Sequence, residues 1–310
     1  MTSPLVSIVL GTYNGQAYLQ QQIDSLFSQT YPHVEIVAVD DGSTDDTVRL
    51  LRENAARHPN MKVYVNEHNL GFIRNFEKGC RLSAGEYIAV CDQDDYWDEE
   101  KLEKMLAAVG EFPMIYCDSK LCDQDLQYLG RNISDIVHNE SFYDPRQLCV
   151  FSRMYGHTTL VSRRLFEFSS PFDPTIPHDG WMAYHATLCG GVKYFPEALV
   201  LYRQHAANVF GVVGGKRKHK AAEERSARKR REVEHARGRL KAYYQACPES
   251  LAPQKKMLYA LLQSYESFSF RNNIRRMTIF FANYKYLLVV KKYGTFRKWI
   301  FCLKMFVRMP

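Results

Sequence analysis

Apolar runs and polar breaks alternate along the first part of the chain in a pattern that predicts strands and helices in turn. From Leu5 the run LVSIVLGTYN is short, β-branched and closed by polar turn residues. After it, Leu19, Ile23, Leu26 and Phe27 recur on one helical face. VEIVAVDDGS repeats the strand, and Ser43 stands where a cap would open a helix carrying Val48, Leu51 and Ala55 at helical spacing. MKVYVNE, a helix from about Gly71, the strand EYIAVC and a helix from about Glu99 continue the alternation. Past Phe112 it loosens into MIYCDSKLCD and a polar stretch to about Pro145, followed by helices near Ser162 and near Trp181 and the strand-like run VKYFPEALVLYRQH. Strands and helices in strict alternation predict an α/β fold with a mostly parallel sheet and helices on both of its faces.

Polar groups collect where such a sheet binds ligands, outside the carboxyl ends of its strands. Tyr13 and Asn14, Asp40 and Asp41, and Asp92, Asp94 and Asp95 each follow an apolar run directly. Any one of these sets alone reads equally as a turn or helix cap, since Asp and Asn serve both. DQDD at 92 to 95 offers carboxylates two residues apart, hard oxygen ligands that suit Mg²⁺ or Mn²⁺ shared with a phosphorylated substrate.

Charge divides the chain more sharply than its apolar share of 46% suggests. Residues 1–214 carry 17 Lys and Arg against 28 Asp and Glu, and residues 215–310 carry 24 against 6, so a part at −11 adjoins a part at +18. From Gly214 a basic, helix-prone stretch with few apolar residues begins, and the expected domains are 1–213 and a basic helical region, 214–310. The run from Lys216 to Arg231 raises nucleic acid as a partner, but it lacks interleaved aromatics and a recognisable module, and the acidic first part would repel phosphates. Nucleic acid is therefore not an expected partner. In the final segment Phe296, Trp299, Ile300, Leu303, Phe306 and Val307 share a helical face, with Arg297, Lys304 and Arg308 beside it. Such a helix suits either an anionic membrane surface or packing on its own domain with a solvated basic rim.

The eight cysteines form no CxxC pair, which points to a reducing, cytoplasmic compartment. No leader pattern is recognisable at the start, and the most apolar stretch, around Ile279 to Val290, is broken by Asn283 and Lys285. That falls short of the ~18 apolar residues a membrane span needs. The expected location is the cytoplasm, at most peripheral at the inner face of the cell membrane.

VSIVLGTYNG, VDDGSTDDT, NLGFIRNFEKG with AGEYIAVCDQDD, and HDGW at 178 to 181, in this order, resemble family 2 of the inverting glycosyltransferases. The resemblance covers about residues 5 to 211 and implies the GT-A fold, a Rossmann-like sheet. DQDDYW, IPHDGW and LYRQHAANVFG are most similar to the branch containing rhamnosyltransferases of bacterial surface polysaccharide assembly, O-antigen included. What the resemblance implies is transfer, with inversion, from a UDP- or dTDP-sugar to a glycan or polyprenyl-diphosphate-linked acceptor. Thr12, Tyr13, Asn14, Asp41, Asn69, Arg74, Asp92 and Arg203 would bind the nucleotide sugar, with Asp41 accepting from a pyrimidine imide. Asp94 or Asp95, with His205 as a third ligand, would hold Mn²⁺ or Mg²⁺. Asp179 lies at the base position, where Glu-Asp is usual and this chain has His178-Asp179; the alternative is that Asp179 caps its helix. Trp97, His178 and Trp181 are acceptor-side candidates, each Trp being equally suited to the core. A catalytically silent relative that only binds sugar nucleotide would be expected to have lost one of Asp41, Asp92, Asp94 and Asp179, and all four stand.

Overall fold

The computed structural model describes residues 3–151, 154–205, 222–289 and 294–307, with the side chains of 222–229 and 307 excepted. Residues 216–221 of the run from Lys216 to Arg231, the side chains of its next eight residues and the end of LYRQHAANVFG therefore lie outside the described residues, as do the Val307 side chain and Arg308 of the final segment. The chain divides into two compact units, residues 1–136 with 154–213, and residues 137–153 with 214–310.

In the first unit the elements run β1 (Val6–Thr12), α1 (Leu19–Phe27), β2 (Val34–Asp40), α2 (Thr47–Arg57), β3 (Met61–Val65), α3 (Phe72–Leu82) and β4 (Tyr87–Cys91). They continue with β5 (Tyr96–Trp97), α4 (Lys101–Val109), β6 (Met114–Cys122), β7 (Tyr128–Asn132), α5 (Ile133–Ile136), β8 (Thr159–Ser162), α6 (Arg163–Ser169), α7 (His178–Leu188) and β9 (Val192–Arg203). One sheet takes the order β3-β2-β1-β4-β8-β6-β9-β5, with β7 on β6. β3, β2, β1 and β4 are mutually parallel, as the alternation predicts. Beyond β4 the sheet is mixed: β8 runs antiparallel to β4 and β6, β5 to β9 and β7 to β6, while β6 and β9 are parallel.

Side-chain alternation along β1 explains how both sheet faces are covered. Val6, Ile8 and Leu10 join Leu19, Ile23 and Leu26 of α1 and Leu102 and Met105 of α4 in one buried cluster. Val9 points the other way, against α3, where a side chain added at Gly79 would stand 2.4 Å from Val9 Cγ1. Strand register then sets the binding edge: Thr12 pairs with Asp40 and Leu10 with Cys91, so the segments that follow β1, β2 and β4 emerge together.

Helix α2 starts four residues after the expected cap. Ser43 is occupied in the preceding loop, where its hydroxyl donates to Asp40 at 2.6 Å and accepts from the Asn14 N–H at 2.8 Å. Ser162 does cap α6, accepting from the Leu165 N–H at 3.2 Å.

The second unit is helical, with α8 (Ala222–Ala246), α9 (Ala252–Ser264), α10 (Phe270–Leu287) and α11 (Thr295–Val307). Residues 137–153, expected with the first part, belong to it: Arg239 donates to the Cys149 and Val150 carbonyls and Arg146 to Asn283 Oδ1. Among the described residues no helix is long and apolar enough to cross a membrane.

Candidate active site

The loop after β2 is built around Asp40, which is fully buried and accepts from Thr12 Oγ1, the Gly42 and Ser43 N–H groups and Ser43 Oγ. Asp40 is thus a loop anchor, and Thr12 helps to hold it. Asp41 faces the other way. Its Oδ1 accepts from Asn66 Nδ2 and the Leu70 N–H, and its Oδ2 from the Gly71 N–H at 2.9 Å. Asp41 is only 3% exposed, and Oδ2, with a single described hydrogen bond, is the one of its oxygens with acceptor capacity left. Asn14 ties the two loops together, its side-chain oxygen accepting from the Thr44 N–H at 2.9 Å. Tyr13 is 47% exposed while Gln93 clasps its backbone, accepting from its N–H at 2.8 Å and donating to its carbonyl at 3.0 Å. Asn69 is exposed and accepts from the Gly71 N–H, and Arg74 forms an ion pair with Glu77 on α3.

The three carboxylates after β4 go to different partners. Asp94 Oδ2 meets His205 Nε2 at 2.8 Å. Asp92 and Asp95 instead converge on His157, whose Nδ1 lies 3.5 and 3.4 Å from their Oδ2 atoms. Ligand atoms of Asp92, Asp95 and His157 all lie within 4.8 Å of one another. Asp95 is fully buried; its Oδ1 accepts from the Arg203 N–H, and its Oδ2 has no hydrogen-bond partner. The expected set of Asp94, Asp95 and His205 therefore divides, Asp94 going to His205 and Asp95 to His157.

Burial pushes the Asp95 pKa up to about 8, helped by the charges of Asp94 and Asp92 and opposed by His157. Asp94 is also raised, by burial and then by Asp92, with His205 opposing. At Asp92 burial again favours the neutral form, but the hydrogen bond and charge of His157 prevail and its pKa falls below the ordinary value. So many carboxylates held so close cannot all ionise cheaply without a compensating cation. An orphaned buried carboxylate oxygen beside an imidazole, with more carboxylates at hand, fits a divalent ion that takes O and N ligands.

His157 comes from the 3-10 turn Gly156–Thr158, and Lys101 Nζ donates to its carbonyl at 2.6 Å. Its Nε2 meets Ser119 Oγ at 3.1 Å. A single His in a polar stretch carries no sequence signal, and His157, Lys101 and Gln93 are site residues that sequence reasoning misses.

Asp179 lies in the first turn of α7, behind the N-cap residue Pro177. Its Oδ1 accepts from the Gly180 N–H at 2.7 Å. Burial raises its pKa, and the charge of Asp92 adds to the rise against the opposing effects of His178 and that N–H. The mutual influence of Asp179 and Asp92 brings α7 and the end of β4 into one electrostatic site. His178 packs its ring 4.3 Å from that of Phe76, and neither ring nitrogen has a hydrogen-bond partner. Burial lowers its pKa despite Asp179 and Asp92, which keeps the imidazole neutral.

Three expectations are corrected. Trp97 is fully buried with Lys101 Nζ 3.0 Å above its ring, so it has no face for a sugar. Trp181 is also buried, donating from Nε1 to the Ser169 carbonyl at 2.6 Å. Arg203 does not reach outward to a diphosphate: its guanidinium is buried, donating to the Asp94 and Gln124 carbonyls and to Gln21 Oε1, and it lies over Tyr18. In each case a strand or helix direction that the sequence does not reveal turns the side chain inward.

A mixed sheet whose parallel half gathers carboxylates at its carboxyl edge defines an α/β enzyme class built to meet a charged ligand there. Family comparison is specific: the model for glycosyl transferase family 2 matches residues 7–168. The chain belongs to glycosyl transferase family 2. An uncharacterized glycosyltransferase of Haemophilus influenzae is 28% identical over 65% of this chain and 66% of its own length. An uncharacterized protein of Mycobacterium tuberculosis, Rv1520, is 29% identical over 66% of this chain and 60% of its own length. This chain thus spans less than two thirds of each of these relatives. Among solved structures, S. aureus TarS 1-349 in complex with UDP-GlcNAc superposes with a TM-score of 0.60 at 19% identity, covering 98% of this chain and 81% of that one. The mannosyltransferase PcManGT of Pyrobaculum calidifontis, in complex with GDP-Man and Mn²⁺, gives 0.57 at 16% identity, covering 99% and 86%. These likenesses show the fold, which is GT-A followed by a helical C-terminal region.

Proposed function

We propose that the chain moves a sugar, with inversion, from a UDP- or dTDP-sugar to a hydroxyl of a glycan or polyprenyl-diphosphate-linked acceptor. The reaction belongs to bacterial surface polysaccharide assembly, in the rhamnosyltransferase-like branch. The observation that carries this reading is the convergence of Asp92, Asp95 and His157 in one cation-competent cluster, with Asp179, its pKa raised by burial, near enough to feel the charge of Asp92. Tyr13 lends its ring to the nucleobase and Asp41 Oδ2 accepts from the base imide, with Asn69 and Arg74 at the same edge. Asp179 takes the proton of the acceptor hydroxyl as that oxygen attacks the anomeric carbon; the bond to the diphosphate breaks on the opposite face and the electron pair leaves with the nucleotide. Asp94 with His205 would hold Mn²⁺ or Mg²⁺, and Asp92, Asp95 and His157 are the second donor set. When bound, the cation neutralises charge growing on the diphosphate.

The test is a thermal-shift panel of UDP, dTDP and GDP with and without Mn²⁺. A ligand at a hundred times its Kd stabilises by about 2.7 kcal/mol. UDP or dTDP should raise Tm more with Mn²⁺ than without it, and Asp94→Ala should remove the difference while the apo Tm stays. A panel in which no diphosphate stabilises the parent overturns the reading; an effect lost in Asp95→Ala and kept in Asp94→Ala moves the ion to the second set.

A further inference from the structure

Helix α11 is amphipathic in the wrong sense for a helix that packs only on its own domain. It buries Cys302 and Met305, yet its larger apolar residues are turned out: Phe296 is 73% exposed, Trp299 48% and Leu303 55%. These three follow the i, i+3, i+7 spacing of one outward stripe. The stripe continues onto α10, where Phe270, 71% exposed, lies against Phe306 with ring centroids 5.5 Å apart, and Ile274 is exposed one turn further on. Exposed cations edge it from both helices, Arg297 and Lys304 on α11 and Arg271 and Arg275 on α10. The ion pairs described in this unit, His138–Glu140, Arg146–Asp144 and Lys255–Glu249, involve none of the four. From Ser267 to the end of the sequence there are ten Lys and Arg and no Asp or Glu.

We propose that this α10–α11 face is a docking surface for an anionic lipid bilayer, with Phe270, Phe296, Trp299 and Leu303 entering the headgroup boundary and the four flanking cations meeting lipid phosphates. An aromatic and aliphatic stripe bordered by cations is the chemistry of an interfacial helix. A second copy of the chain is a poorer occupant, because a twofold contact sets a patch against itself. Arg271, Arg275, Arg297 and Lys304 would then face their own kind with no acidic residue in the segment to offset them. The inference rests on the C-terminal unit alone and stands apart from the proposed reaction.

Trp97 and Trp181 are buried, so Trp299, the third of the chain's three Trp, reports on this face by itself. Full-length protein should co-sediment with vesicles of phosphatidylcholine containing about 30% phosphatidylglycerol, with a blue shift of Trp emission, and bind pure phosphatidylcholine at least ~tenfold more weakly. Raising salt from about 0.1 to 0.5 M should weaken the binding as the charges are screened. The double variant Phe296→Asp/Leu303→Asp should lose binding by ~tenfold or more, and Trp299→Phe should bind while losing the blue shift. Since the replaced side chains are exposed, unchanged Tm in these variants excludes misfolding. No binding to anionic vesicles, equal binding by the double variant, or a parent dimer that the double variant converts to monomer would each overturn the proposal.

Discussion

Replacing Asp179 by Asn separates a base from a structural carboxylate, because Asn keeps the shape and one acceptor oxygen but carries no charge and cannot take a proton. The 2.7 Å hydrogen bond from the Gly180 N–H ends on Oδ1, an atom that Asn retains. Burial raises the Asp179 pKa above that of an unfolded Asp, so between the two values the native state holds the extra proton and stability falls as pH rises. Asp179→Asn removes that loss, and the variant should be at least as stable as the parent at neutral pH. Turnover should drop ~10²- to 10⁴-fold, the usual worth of a positioned base, or about 3–5 kcal/mol of barrier. The raised pKa also places the acid limb of the parent's pH–rate profile above the ~3.9 of an ordinary Asp, with activity lost as pH falls through it. The assay is nucleoside diphosphate release at saturating donor and acceptor across pH, beside donor affinity by calorimetry. Unchanged donor affinity with lost turnover is the expected result. Turnover within a few-fold of the parent would refute the role and send the search to His178.

Gly79→Ala should destabilise the first unit, since the added carbon would sit 2.4 Å from Val9 Cγ1 and 3.2 Å from Val39 Cγ2. Overpacking costs about 1–3 kcal/mol and the helix gains about 1 from Ala, so a rise in the urea midpoint would contradict the packing described. Trp97→Ala should cost ~3–5 kcal/mol, the loss expected for a fully buried aromatic. Unchanged unfolding with a raised KM for acceptor would return Trp97 to the sugar-binding role it was expected to have.

Legibility followed the period of the pattern. β1 to β4 and their helices could be read because each strand is an apolar run closed by turn residues, and buried parallel strands look like that. β5 and β8 could not: two and four residues are too short for any period to show. With them went the change from a parallel to a mixed sheet. At the site, the acidic positions were legible as strand-end residues, but their partners were not. Asp94 and Asp95 are adjacent in sequence and face His205 and His157 separately, a division fixed by the backbone turn. Arg203 and Trp97 looked like ligand-facing residues because they border motifs, yet burial direction is a tertiary property. The tail shows the reverse case. Its apolar stripe is plain in the sequence, and only the structure tells that Phe296, Trp299 and Leu303 of that stripe face outward.

The division of charge gives these local arrangements their logic. Residues 1–214 carry −11, and a nucleoside diphosphate would add further negative charge to them, so the net charge of this part opposes such a complex. Compensation has to be short-range and buried, where charges are screened least. Lys101 meets that need from beneath: burial lowers its pKa to about 8, while Asp95 and Asp92 are among the groups that favour its charged form. His157 answers in the metal-free protein: burial would depress it, but Asp95 and Asp92 outweigh that and raise its pKa above the ordinary imidazole value, and a cation in this donor set would replace that proton. Residues 215–310, at +18, would obey the opposite rule if they meet an anionic surface as proposed, with cations such as Arg271, Arg275, Arg297 and Lys304 acting over a distance. Buried compensation in the first unit and the attraction proposed for the second should respond differently to salt, the first weakly and the second strongly, which makes ionic strength the variable that separates them within one chain.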